Sequence, residues 1–545
     1  MNIHSFRPAP RWLKLRRVAC RPQVAFALAA AAAAAGCAVG PNFHAPQAPK
    51  GAGYTTAPLP DTVPSTPGAE GDAQTFVLGQ DVPYRWWEAF GSPAINSLVD
   101  RALRANPSIT AAQAALRQAQ EMVYAQRGYF YPSIAMDYNF ERQKLAGNLS
   151  GSSAPGVQGN GSNIAAYQNP SPNPAPHNSP LYYNFHTADL TVGFVPDVFG
   201  GNRRKVESLD AQAQVQRFEL EAAYVSLASN VVAAAIQDAS TRAEIKATED
   251  IIAQNEKSLG VLRDKFNSGF ASRIDLAAQE QQLAQAKALL PPLERQFELN
   301  RDLIRALVGN LPNQDVESIE LSSLKLPTQL PVSLPSKIIE QRPDVRAAEQ
   351  QLRAANAEVG VAIAAMLPQF TITGVSGGTA TQFSQLFSSG GPFWTLIGDA
   401  TQPVFAGGTL LHTKRAADAA LRQAAAQYQN AVLQAYQNVA DTLHAIVTDA
   451  AALAAAVEAE RAAKLTVDLT HQRMQEGYSD YLTDLAAAMA YGQALLNLEQ
   501  AEATRFGDTA ALYQALGGGW WNRNATDAHA AGGGGGSPSA VAAAN

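Results

Sequence analysis

Cysteine is nearly absent, with two in 545 residues, which is too few for a disulfide framework. Metal-ligand patterns are missing too: the eight histidines are scattered, and neither Cys-x-x-Cys nor His-x-x-x-His occurs. One G-x-S-x-G match, Gly374-Val375-Ser376-Gly377-Gly378, leads into TATQFSQLFSSGGP, which reads as a loop. A nucleophile elbow needs a strand turning sharply into a helix. With no convergent catalytic set, no residue is assigned a catalytic, metal or cofactor-binding role, and an enzyme is not expected. Positive charge is in short supply: 41 Lys and Arg stand against 47 Asp and Glu, net −6. The cations are dispersed, so nucleic acid is a poor partner. After residue 36 no run approaches a membrane-spanning helix, and entry into a bilayer would have to be by β-strands.

What is present begins with an export signal over 1–36. Arg7, Arg11, Lys14, Arg16, Arg17 and Arg21 form a basic start, Val24 to Ala35 a short apolar run, and Gly36 a small residue before Cys37. Cleavage there would leave Cys37 as the N-terminal residue, the position at which bacterial lipoproteins are acylated. Ala34 stands where the usual lipobox has Leu. Cys20 leaves with the signal, so Cys37 has no disulfide partner. Removing six positive charges and no negative ones moves the net charge from −6 to −12.

The mature chain is written twice. Pro107, Ala111, Ala112, Leu116, Ala119 and Pro132 recur as Pro343, Ala347, Ala348, Leu352, Ala355 and Pro368, a shift of 236. Val198-Phe199 and Gly201 recur as Val404-Phe405 and Gly407 at 206, and Gly269 and Gly309 as Gly477 and Gly517 at 208. The drop from 236 to 206 assigns 30 extra residues to the first copy, in a Gly/Ser/Asn/Pro stretch that reads as a loop.

Each copy has one order of elements. After Pro132, Ile134, Met136, Tyr138 and Phe140 alternate, then Leu190, Val192 and Phe194; after Pro368, Phe370 and Ile372 alternate. Period two predicts strands with unlike faces, about 133–145 and 183–195, then about 369–377 and 393–402. Long helices follow over 202–268 and 408–476, with return helices 270–309 and 478–516. Tyr224, Val231, Ile245, Ile252, Leu259 and Phe266 step by seven, missing only at Asp238. Val432, Val439, Ile446, Leu453, Val467 and Met474 repeat the seam, missing only at Glu460. That period is coiled-coil packing. Gly269 and Gly477 supply the turns at which the long helices reverse, and helices over 94–131 and 336–367 complete the limbs. The domains expected are therefore an arm over 37–93, repeats over 94–320 and 321–516, and an end segment with a disordered Gly-rich tail over 517–545. Trp86-Trp87 is expected to pack rather than to bind.

Four strands cannot close a barrel, and open edges do not survive in lipid. Several chains must share one barrel, and their helices would form a tube continuous with it. Residue patterns alone leave the copy number open.

CAVGPNFHAP, WWEAFGSPAINSLVDRALRANPSI, DVFGGNRRKVESLDAQ, FNSGFASRIDLAAQE, LPSKIIEQRPDVRAAEQQL and PVFAGGTL resemble the TolC-like outer-membrane efflux proteins in their lipoprotein (NodT/OprM-type) branch. The resemblance covers Cys37 to about Trp521. It implies a mainly α fold with a small transmembrane β part: a homotrimer with a twelve-stranded barrel continuous with a twelve-helix periplasmic tunnel. It implies an outer-membrane location with a palmitate-type lipid on Cys37 as the covalent attachment, and no cofactor. The expected partners are a periplasmic adaptor and an inner-membrane transporter of RND type, and the cargo drugs or other small toxic compounds. The alternatives are a duct for type I protein secretion or metal efflux, a structural coiled-coil envelope lipoprotein without a lumen, or a secreted enzyme.

A conduit needs a gate. Around Gly269 and Gly477 stand Arg273, Asp275, Asp480, Tyr481 and Asp484, and at a threefold tip each would form a ring. Carboxylate rings attract cations and repel one another. Asp275 falls on the family's first-repeat tip aspartate. The second-repeat Leu-Asp-Ala reads Leu485-Ala486-Ala487 here, leaving Asp484 as the replacement candidate although it points about 200° away. The plainer reading of Asp275 is a helix cap.

Overall fold

The computed structural model describes residues 38–47, 53–56, 58–66, 71–145, 181–476 and 478–523. The signal expected over 1–36, Cys37, Gly477, most of the loop between the first two long strands and the C-terminal tail lie outside the described residues. In chain order the elements begin with β1 (Thr62–Val63), β2 (Gln74–Leu78), α1 (Pro93–Ala105), α2 (Pro107–Gly128), β3 (Ser133–Leu145) and β4 (Leu181–Phe194). The long helix α3 (Gly201–Asn267) and its return α4 (Arg273–Leu307) follow. The second copy has β5 (Gln329–Val332), α5 (Pro335–Gln341), α6 (Pro343–Ala364), β6 (Gln369–Ala380), β7 (Pro392–Thr401), α7 (Thr409–Gln475) and α8 (Tyr481–Ala515).

The chain divides into two compact units. One takes the described residues of 38–42, 124–207 and 356–418 and holds a four-stranded antiparallel sheet in the order β3-β4-β6-β7. The other takes the described residues of 43–123, 208–355 and 419–523.

Backbone register corrects the repeat arithmetic. Ser133 pairs with Gly193, and its counterpart Gln369 pairs with Thr401, so β4 and β7 correspond at a shift of 208. The helices α3 and α7, each 67 residues, start 208 apart as well. The first copy therefore carries 28 extra residues, not 30, all between β3 and β4. The Val-Phe match at 206 is a local slip between connectors of equal length, 195–200 and 403–408. Val198 and Phe199 are half-buried, whereas Val404 and Phe405 are bare.

The helices expected over 94–131 and 336–367 are each broken in two. Asn106 and Arg342 precede prolines and are held extended. Both breaks are joints. The Asn106 side-chain amide donates to the Leu307 carbonyl at 2.8 Å, and the Arg342 guanidinium to the Ala515 carbonyl at 2.9 Å. Beside them, a Cβ on Gly309 would lie 2.9 Å from the Ala105 carbonyl oxygen, and one on Gly517 2.9 Å from that of Gln341. The recurring glycines thus mark the same close backbone approach in each copy.

The arm is more than an extended strand. Its β2 lies between β1 and β5, parallel to β5. Trp86 and Trp87 are buried, with Trp86 stacked on Tyr513 at 5.1 Å, which is a packing role. Pro291 and Pro292 lie inside α4 without ending it. Both long helices contain an 18-residue window of mean hydropathy 1.2 (α3) or 1.3 (α7), which corrects the expectation that nothing after residue 36 approaches a spanning helix. At about 1.5 Å per residue, however, each helix is about 100 Å long, more than three times a hydrocarbon core of about 30 Å.

Candidate functional site

Two groups of residues are candidates for function, one in each unit. In the sheet, period two separates the faces. Register places Ile134, Met136, Tyr138 and Phe140 on one face with Leu190, Val192, Ile372, Trp394 and Leu396. Met136 is 82 % exposed, Trp394 77 % and Ile134 67 %, more apolar surface than a water-facing sheet tolerates. The other face carries Asp137, Asn139, Thr187, Asp189, Thr371, Thr373 and Asp399. Such alternation is that of a membrane barrel wall with a wet interior. The outer edges of β3 and β7 are unpaired among the described residues. Gly374 to Gly378 runs straight within β6, so no nucleophile elbow exists there.

The same unit fastens residues 38–42. Buried Arg204 donates to the carbonyls of Val39 (3.0 Å) and Gly40 (3.2 Å) and to Asn42 Oδ1 (2.8 Å), and pairs with Glu207 at 2.8 Å. The Asn356 amide holds the Pro41 carbonyl at 2.9 Å, and Val39 N–H donates to Phe199 O at 3.0 Å. Residue 38 is thus tied beside the end of β4.

In the other unit, the turn after α3 uses Gly269 at φ +79°, with Phe270 N–H reaching back to Lys265 O at 2.8 Å. In the second copy Tyr478 N–H reaches Arg473 O at 2.8 Å; Gly477 itself is outside the described residues. Asp275 completes a capping box. Its carboxylate accepts from Ser272 N–H (3.1 Å) and Oγ (2.7 Å), while Ser272 Oγ accepts from Asp275 N–H at 3.1 Å. Asp480 caps α8, accepting from Thr483 N–H at 2.7 Å, and hydrogen bonds from Thr483 hold its carboxyl below the usual range. Arg273 is exposed.

Tyr481 joins three helices. Its hydroxyl donates to Gln279 Oε1 on α4, and Gln279, 1 % exposed, donates to Asn255 O (2.9 Å) and Oδ1 (3.1 Å) on α3. Burial, then the charges of Asp484 and Asp275, push the Tyr481 hydroxyl well above the ordinary phenol range, keeping it a donor. Asp275, Tyr481 and Asp484 therefore stand together. Asp484 lies 3.5 Å from His471 Nδ1 on α7, and its Oδ1 has no partner among the described residues. Gln279, Asn255 and His471 were missed from sequence. The available signal was heptad position, since Asn255 stands three residues after seam residue Ile252, where a polar group is out of place.

The sequence profile of the family described as "Outer membrane efflux protein" matches residues 98–310 and 334–518. The pyoverdine export outer membrane protein OpmQ of Pseudomonas putida is 27% identical over 469 residues, covering 85% of this chain and 94% of its own. The solvent efflux pump outer membrane protein SrpC of Pseudomonas putida is 25% identical over 489 residues, covering 89% and 96%. Among solved structures, the outer-membrane channel OprN superposes with TM-score 0.75 at 25% identity, covering 89% of this chain and 100% of that one. The CmeC outer membrane channel of Campylobacter jejuni gives 0.76 at 20% identity, covering 90% and 97%.

Proposed function

The chain belongs to the outer membrane efflux protein family, and from that premise we propose how its two units make a conduit. The protein is an outer-membrane efflux channel, a transport protein rather than an enzyme, and such channels work with a periplasmic adaptor and an inner-membrane pump. The pump is of RND type. The relatives are named for export of pyoverdine and for solvent efflux, neither of them a protein, which supports drugs or other small toxic compounds as cargo.

One observation carries the conduit: a sheet with one apolar face, one polar face and two edges unpaired among the described residues. Edges in lipid must be paired. Two copies would give about eight strands, whose interior side chains fill; three copies, hence twelve strands, are the smallest assembly that leaves a passage. The gate is the cluster of Asp275, Tyr481 and Asp484, with Arg273 and Asp480 beside it, and Tyr481 is its clasp through Gln279. Purified protein in a planar bilayer should give discrete, ohmic conductance steps. A protein that inserts but never conducts, even with the clasp cut by Tyr481→Phe, contradicts the reading.

Cys37 carries the lipid. The tying of residues 38–42 beside the strand end supports this, because an acyl group there reaches the bilayer edge. Cys37→Ser should abolish palmitate labelling; a variant that still labels refutes the anchor.

A further inference from the structure

Where β4 runs into α3 and α6 into β6, the sheet-bearing unit has a cleft of about 270 Å³. Val198, Phe199, Val361, Ala364, Ala365 and Phe370 form its apolar walls, with the Phe199 and Phe370 rings 6.4 Å apart. Its polar lining is largely spent on protein partners. The Asp197 carboxylate accepts from the N–H groups of Asn202 and Arg203, both at 2.9 Å, and from Arg203 Nε at 3.3 Å. The Gln369 amide donates to the carbonyls of Ala364 (3.0 Å) and Leu367 (2.9 Å). Asn202 Oδ1 accepts from Gln126 at 2.6 Å, while its Nδ2 has no partner among the described residues. Such a lining suits an apolar occupant that brings one acceptor.

Residue 38 stands at the rim. A Cβ on Gly200, which has φ +76°, would lie 2.6 Å from Ala38 Cα, and Val39 N–H donates to Phe199 O at 3.0 Å. The chain thus crosses the wall residues themselves, and Cys37 is one residue further back, about 3.8 Å of backbone. The equivalent connector of the second copy, 403–408, meets no such segment among the described residues. Gly408 has only the His412 ring near the place of a Cβ, and Val404 and Phe405 are 94 % and 90 % exposed.

We propose that the cleft seats one acyl chain of the lipid on Cys37, so that the anchor is held by the strand-to-helix junction as well as by the bilayer. The proposal rests on the lipid reading of Cys37 above and adds where a chain lies. The occupant is this chain's own lipid because residues 38–42, tied down by Arg204 and Asn356, bring the attachment point to the rim. The acyl tail covers the apolar walls, and the carbonyl at its head is the acceptor for Asn202 Nδ2.

Photocrosslinking of the lipidated full chain tests this. Cells are fed a fatty acid with a diazirine in its tail and irradiated, and the purified protein is digested so that joined peptides are identified by mass. The peptide beginning at Cys37 should be joined through the acyl tail to peptides containing 195–202 or 361–370. Label on Cys37 joined only to phospholipid, or only to the sheet's apolar face at Ile134 and Met136, overturns the seat and leaves the lipid reading intact. Cleft peptides joined to free phospholipid instead overturn the choice of occupant. No label on Cys37 overturns both readings. Ala365→Trp supplies a second readout: residue 365 is exposed, so the fold should tolerate the ring, which would fill the cleft. This variant should keep the Cys37 label and lose the cleft crosslink; Val404→Trp, on the bare connector, should keep both. A cleft crosslink that survives Ala365→Trp, or that Val404→Trp also removes, counts against the seat.

Discussion

Single residues decide whether the helix seam is apolar or polar. Asp238 breaks the heptad of α3, yet it is 1 % exposed and one of its oxygens has no partner among the described residues. Burial pushes its carboxyl up to about 6, with Arg242, Arg301 and Arg305 pulling it back and Glu298 adding to the rise. The folded pKa thus lies above the ordinary carboxylate value. The folded state holds the proton longer than the unfolded chain, so stability falls as pH rises from about 4 through about 6, by about 3 kcal/mol for two units of difference. Asp238→Asn removes that loss. Its melting temperature should match the parent near pH 4 and exceed it at pH 7; parallel curves would show that the carboxyl is not held protonated. Two other polar groups of the α3 seam are hydrogen-bonded. Thr241 and Thr248 donate to the carbonyls four residues back, and Asn300 of α4 reaches Thr241 Oγ1 at 3.1 Å.

At the scale of elements, periodicity and punctuation were readable and contacts across helices were not. Alternation from Ile134 to Phe140 and the seven-residue seam announce strands and rods because burial on one face demands those periods. The turn glycine Gly269 declares itself through its need for positive φ. The breaks at Asn106-Pro107 and Arg342-Pro343 were legible in principle, since a residue before proline leaves the helix. The Tyr481–Gln279–Asn255 link was not, because it spans three helices and no local pattern encodes it. The capping box of α4 poses its own test. Asp275 both caps the helix and contributes charge, and two substitutions separate the roles. Ser272→Ala removes the cap's hydroxyl, for about 1 kcal/mol of stability, and keeps the carboxylate; Asp275→Asn keeps most of the shape and removes the charge. If the carboxylate gates, Asp275→Asn alters cation conductance in bilayers and Ser272→Ala does not. Equal effects would assign Asp275 to the cap alone.

For the whole molecule, duplication is the governing fact. Each copy supplies two strands, a long helix and its return, and the copies meet through β4 and β6 in one continuous sheet. That sheet is too narrow to close alone and too apolar on one face to remain in water, so a barrel needs several chains around an open axis. Images of the detergent-extracted particle, averaged along its axis without imposed symmetry, test this most directly. Three equivalent chains enclosing an open lumen are expected; a single chain, or a ring whose centre is filled by its own helices, would contradict the shared barrel.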